Sequence, residues 1–174
     1  LLKAMLNDSG LKGLPLILHI READTRSDDA SKDCLAILKK AGVPQDHFIY
    51  RHCFVGSIED AARWVAAFPN TYFGFNPKVA SGGQGVHSGA LQLFLNYKLD
   101  SILIETDAPK LFLGRQAALT PWSTYHLAWY LAALRGLSLE EILNTVGNNF
   151  AKFFRLSAAD KREDAATPGS GAGP

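Results

Sequence analysis

Short apolar runs alternate with amphipathic stretches along most of this chain. Leu14-Pro15-Leu16-Ile17-Leu18, Phe48-Ile49-Tyr50, Thr71-Tyr72-Phe73-Gly74-Phe75 and Ser101-Ile102-Leu103-Ile104 are near-continuous and rich in aliphatic, β-branched and aromatic residues. That is the pattern of strands buried on both faces, predicted at about 15–20, 47–53, 71–75 and from 101. The stretches 28–41, 57–67 and 88–97 read as helices, and Leu1 to Gly13 reads as a helix before the first strand. Ser57 is placed to cap the helix it precedes, with Glu59 and Asp60 in a first turn where the helix dipole favours negative charge. Strands alternating with helices of this length imply βα units around a parallel sheet.

Beyond Pro109 the pattern turns helical. Thr120-Pro121-Trp122 reads as an N-cap followed by proline at the first helical position, with the helix running to Leu134 and Gly136 just past its end. Trp122, Trp129 and Tyr130 sit at helical spacing and are expected in the core. Ser138-Leu139-Glu140-Glu141 resembles a capping box opening another short helix. From Ser157 onward the composition collapses to Ala, Gly, Ser, Pro and charged residues. The expectation is a folded domain over 1–156 and a disordered tail over 157–174.

Composition bounds the chemistry. A chain of 174 residues, 47% hydrophobic and 20% charged, has the make-up of one globular domain. A formal net charge of +1 exerts no global pull on nucleic acid, so any phosphate binding must be local. Cys34 and Cys53 are too few for a disulfide framework, which favours a reducing compartment. No apolar run is long enough to span a membrane and the N-terminus lacks a signal-peptide layout, so an intracellular protein, cytoplasmic or nuclear, is expected.

The polar residues at the strand exits carry the candidate chemistry. His19 follows the first apolar run, His52 the second, and Glu105 and Asp107 the fourth, where Pro109 stops the strand. In α/β barrels and open α/β sheets, catalytic groups collect at the C-terminal ends of strands. A buried carboxylate there needs a cation or several donors to offset its desolvation. Two imidazoles and a carboxylate at one mouth make a sensible ligand set for a divalent metal. Each residue alone also fits a structural role, a hydrogen-bonded histidine or a capping aspartate, but that explanation must succeed three times.

His19-Ile20-Arg21-Glu22-Ala23, His52-Cys53-Phe54-Val55-Gly56 and Glu105-Thr106-Asp107-Ala108-Pro109, in that order, resemble the TatD family of metal-dependent deoxyribonucleases. The resemblance covers about residues 1–156, including a closing helix from Asn149 to Phe154. It implies a TIM-type (β/α) barrel with a two-metal site that hydrolyses phosphodiester bonds in DNA. It also implies His19 and His52 as metal ligands, and Asp107 as the carboxylate that binds metal and orients or deprotonates the attacking water. Glu105, two residues from Asp107, falls behind these ligands. Arg21 is either a phosphate contact or the partner of Glu22 or Glu105, and Lys78 is either a second phosphate contact or a solvated loop lysine. The family's His-x-His pair does not occur here. Roughly the first three or four βα units of an eight-unit barrel are therefore expected to be missing, leaving an incomplete barrel that folds poorly or associates and binds metal weakly.

Other residues are given blander roles. His47, His87 and His126 fall outside the strand exits and are assigned to surface or helix positions. Strand alternation sends Cys53 to the face opposite His52, where it packs rather than ligates. Phe54 and Phe75 are expected to fill the barrel mouth, with base stacking as the lesser alternative. Two other functions fit the same residues: an amidohydrolase-like reaction on a small molecule, and an inactive barrel remnant that serves as an interaction module.

Overall fold

The computed structural model describes residues 2–6, 8, 13–21, 28–77, 79, 86–109, 112–113 and 117–156; at 2, 3, 86–88, 112, 113, 117 and 118 it describes the backbone alone. Lys78, the His87 side chain and the expected tail over 157–174 lie outside it. Four parallel strands, β1 (Leu16–His19), β2 (Ile49–His52), β3 (Thr71–Phe75) and β4 (Ile102–Ile104), form one sheet in the order 1-2-3-4. A short helix, α1 (Leu2–Leu6), precedes β1. The crossovers carry α2 (Asp29–Lys40), α3 (Ile58–Ala67) and α4 (Val86–Asn96), and β4 is followed by α5 (Ser123–Arg135) and α6 (Leu139–Phe153).

Side-chain alternation along the strands divides the sheet into two faces. On one, Leu18, Ile49, Phe73 and Ile102 share a core with Leu35 and Leu38 of α2, Trp64 of α3, Phe94 of α4, and Leu127 and Leu131 of α5. Sequential strand order with every crossover on the same face is the winding of an α/β barrel, since a doubly wound sheet would place helices on both faces. The described strands are an arc of a TIM-type barrel, with β1 and β4 as its edges.

The inner face is served mainly by α6. Phe153, fully buried, lies with its ring centroid 5.7 Å from Tyr50 and 5.4 Å from Tyr72, in one cluster with Leu103. Burying a ring of that size is worth about 1.5–3 kcal/mol. Asn149, also buried, donates from Nδ2 to the carbonyls of Leu99 (2.6 Å) and Ile102 (2.8 Å). The Glu105 N–H bonds the Phe75 carbonyl, so the Ile102 carbonyl points to the outer edge of β4, and Asn149 supplies the partner that edge lacks.

Three element assignments differ from the sequence reading. A two-residue antiparallel pairing, β5 (Phe112–Leu113) with β6 (Ala117–Ala118), precedes the helical region. Trp122, not Thr120, occupies the N-cap of α5, and its backbone is already helical (φ −61°, ψ −21°). Residues 120–125 are joined by i→i+3 bonds, from Ser123 to Thr120 and Thr124 to Pro121, so a tighter turn leads into the helix. The capping box of Ser138 and Glu141 is present, but the helix it opens runs unbroken to Phe153 and absorbs the closing segment from Asn149. Gly136 ends α5 in the left-handed conformation (φ 65°) that glycine adopts without a Cβ clash. Among the described residues no helix is long and apolar enough to cross a membrane.

Candidate functional site

His19 and His52 are paired across β1 and β2 in register, which brings their rings to 5.3 Å between centroids. Both end their strands on the inner face, His19 exposed and His52 half-buried. Tyr50 lies two residues earlier on the same face, and its ring stands edge-on to His52 at 6.1 Å. Glu105, one residue beyond β4, gathers three groups among the described residues. Its Oε2 accepts from the Tyr50 hydroxyl and lies 2.6 Å from His52 Nδ1, and its Oε1 accepts from the Cys53 N–H at 2.6 Å. Gly74 makes that reach available, because a Cβ there would collide with the Tyr50 ring and hydroxyl.

With Nδ1 turned to Glu105, the imidazole of His52 directs Nε2 at Asp107, whose Oδ1 is 3.6 Å away. That is too long for a hydrogen bond. It is close to the separation of two donors sharing one ion: ligands about 2.1 Å from a tetrahedral centre stand about 3.4 Å apart. Asp107 adopts a left-handed backbone (φ 55°), so the strand rule does not set its direction; the turn does. The His19 ring thus lies beside that of His52, and His52 faces Asp107, at one strand-end mouth, with Glu105 on the other side of His52; the three do not bring their ligand atoms within 4.8 Å of one another, as His52, Cys53 and Glu105 do.

Cys53 departs from its expected position. Its backbone is left-handed (φ 50°), so alternation fails there, and its sulfur lies in a group with His52 and Glu105 whose ligand atoms are all within 4.8 Å of one another. Asn76, buried at the end of β3, donates to that sulfur at 3.1 Å. The hydrogen bonds from His52 to Cys53 and then to Glu105 outweigh desolvation and push the His52 pKa up to about 10. Burial works against the Glu105 anion, but the His52 and Tyr50 contacts prevail and lower its pKa. Burial, then Glu105, pushes the Tyr50 hydroxyl far above its usual range, so it stays protonated and donates.

Arg21, two residues beyond His19, is exposed and makes no ion pair with Glu105, whose oxygens are already engaged; Glu22 lies outside the described residues. Phe54 and Phe75 are not in the mouth. Both are buried in the core beneath the helices, Phe54 against Phe73 (4.8 Å) and Phe75 against Phe94 (5.3 Å). Sequence reasoning passed over Tyr50, Asn76 and Gly74. For Tyr50 the signal was present, since a residue two before a candidate ligand shares its face.

A mouth of imidazoles and carboxylates at the strand ends of a singly wound α/β arc is the arrangement of barrel hydrolases that hold metal ions. The chain belongs to the TatD related DNase family, whose match runs over residues 2–155. It is 32% identical over 148 residues to the human 3'-5' RNA nuclease TATDN2, covering 82% of this chain and 18% of that protein. It is 29% identical over 148 residues to YcfH of Escherichia coli strain K12, an uncharacterized metal-dependent hydrolase, covering 83% of this chain and 51% of YcfH. In three dimensions it is similar to a TatD family hydrolase from Entamoeba histolytica (TM-score 0.69, 16% identity), over 90% of this chain and 55% of that one. The chain therefore spans about half or less of the relatives it matches.

Proposed function

We propose that this domain contributes to metal-dependent hydrolysis of phosphodiester bonds in nucleic acid, with His19, His52 and Asp107 holding a divalent cation. The observation that carries this reading is the convergence of His52 Nε2 and Asp107 Oδ1 at 3.6 Å beside the His19 ring. A cation there would supply positive charge to the phosphoryl oxygens and acidify a water. Glu105 fixes the ring of His52 and selects the tautomer that presents Nε2 to the mouth. In this reading Asp107 orients the attacking water or takes its proton, and Arg21, which is exposed, holds a phosphate oxygen. DNA is the substrate named by the family, RNA the one named for the human relative. The donor types are compatible with magnesium, manganese or zinc, and a second ion would draw ligands from beyond the described residues.

The test is titration of Mn²⁺ into the chain by calorimetry, with cleavage of DNA and RNA oligonucleotides in Mn²⁺ and in chelator. The expected outcome is saturable binding that His52→Ala and Asp107→Asn each weaken, and cleavage that requires the ion. Binding that is indifferent to both substitutions would remove these residues from the role.

A further inference from the structure

Behind His52, on the side away from Asp107, strand exits bring three different donors together. His52 ends β2, Cys53 follows it, and Glu105 stands one residue beyond β4. An imidazole nitrogen, a thiol sulfur and a carboxylate oxygen from these residues all lie within 4.8 Å of one another. Cys53 joins the group because its backbone is left-handed (φ 50°); an extended residue would alternate to the opposite face. Donors bound to one tetrahedral ion stand about 3.3–3.6 Å apart. His52 Nδ1 and Glu105 Oε2 are now closer, at 2.6 Å, as a hydrogen bond requires, and an ion in place of the proton would part them by about 0.8 Å.

Cys53 and Glu105 are each held from outside the group. Asn76, buried one residue beyond β3, donates from Nδ2 to Cys53 Sγ at 3.1 Å. The Tyr50 hydroxyl donates to Glu105 Oε2, and the Cys53 N–H to Oε1 at 2.6 Å. Outer partners of this kind fix the direction of metal ligands.

We propose that His52 Nδ1, Cys53 Sγ and the Glu105 carboxylate form a cation site for a thiophilic divalent ion of the zinc class. It is separate from the His19, His52 and Asp107 set and does not depend on the nuclease reading. Sulfur with imidazole selects zinc and cobalt over magnesium and manganese, which prefer oxygen donors. Three protein ligands leave a fourth position for water or an anion. On binding, the ion replaces the proton held between Nδ1 and Oε2 and the thiol proton, both of which pass to solvent.

Zinc K-edge X-ray absorption with one equivalent of Zn²⁺ tests the site in wild type and in Cys34→Ser, where Cys53 is the remaining cysteine. The expected result in both is one sulfur neighbour at about 2.3 Å, and a shell of nitrogen and oxygen alone in either overturns the site. Co²⁺ gives a second reading through its thiolate charge-transfer band. That band should saturate in Cys34→Ser, vanish when Cys53→Ser is added, and need about 10–100-fold more ion when Asn76→Ala is added. Asp107→Asn should leave its midpoint within twofold of wild type. A band that survives the loss of Cys53 overturns the site. So does a midpoint moved as far by Asp107→Asn as by Asn76→Ala, which would assign the ion to the front of His52. Circular dichroism confirms that each variant is folded, and the absorption measurement on wild type decides the matter without any of them. A cobalt band in a wild-type chain that shows no ion-dependent cleavage sinks the nuclease reading alone, and ion-dependent cleavage without sulfur ligation sinks this site alone.

Discussion

Arg51 and His52 are neighbours on β2 and share nothing else. Arg51 points under the helices, buried, with NH1 3.4 Å from Asp60 Oδ2 and 3.1 Å from Ser31 Oγ, and its guanidinium 4.5 Å over the Trp64 ring. Asp60 also accepts from Ser31 at 2.6 Å, and among the described residues no buried side-chain polar atom lacks a partner. His52 points to the inner face, backed by Glu105 and facing Asp107 across a gap. Charge enclosed among its own partners fixes structure, whereas charge held from behind and open in front is available to a ligand.

The difference can be broken from either side. Asp60→Ala strands the Arg51 cation in the core and should cost about 3–5 kcal/mol in urea denaturation, while cation affinity in the surviving folded fraction stays near wild type. A loss under 1 kcal/mol would mean that the guanidinium finds water. Gly74→Ala forces the Tyr50 ring aside and should cost about 1–3 kcal/mol, with the Tyr50 contact to Glu105 lost as well. Unchanged stability there would contradict the close approach. Glu105→Gln removes the charge behind His52 and should weaken Mn²⁺ binding about 10–100-fold in calorimetry. An affinity within twofold of wild type would show that the ring needs no such support.

The smallest effect is on pH dependence. In chelator the folded state holds a proton on His52 up to about 10, above the ordinary imidazole value of 6.5. The resulting stabilisation is complete below about 6.5 and is lost as pH rises through about 10. Glu105, with its pKa lowered, contributes above the ordinary carboxyl range and loses that contribution in acid. Melting temperature should therefore fall from neutral to alkaline pH, and fall less in Glu105→Gln. A wild-type profile as flat as the variant's would break the linkage.

Much of the scaffold was legible because period and punctuation agreed. Apolar runs set the four strands, Ser57 accepts from the Asp60 N–H as an N-cap should, and Ser138 with Glu141 opens α6. The histidines at the strand exits were legible for the same reason. Cys53 was not, because a positive φ at a non-glycine residue leaves no mark on hydrophobic periodicity. Asp60 reads as a helix-dipole residue until Arg51, whose direction depends on strand register, is seen to meet it. On α5, spacing grouped the tryptophans on one stripe but did not say which stripe faces inward. Ala128 and Ala132 take the buried positions against α6, and the large rings are left outside.

Asn149 bears on how the protein comes to exist. The strand that delivers Glu105 and Asp107 is only three residues long, and its outer edge is held by an amide from α6. A nascent chain emerging from the ribosome can form β1 to β3 early, but it cannot secure the acidic half of the mouth until α6 has been synthesised. Ribosome-stalled chains ending short of that helix should carry both imidazoles in place and lack the carboxylates that make them useful.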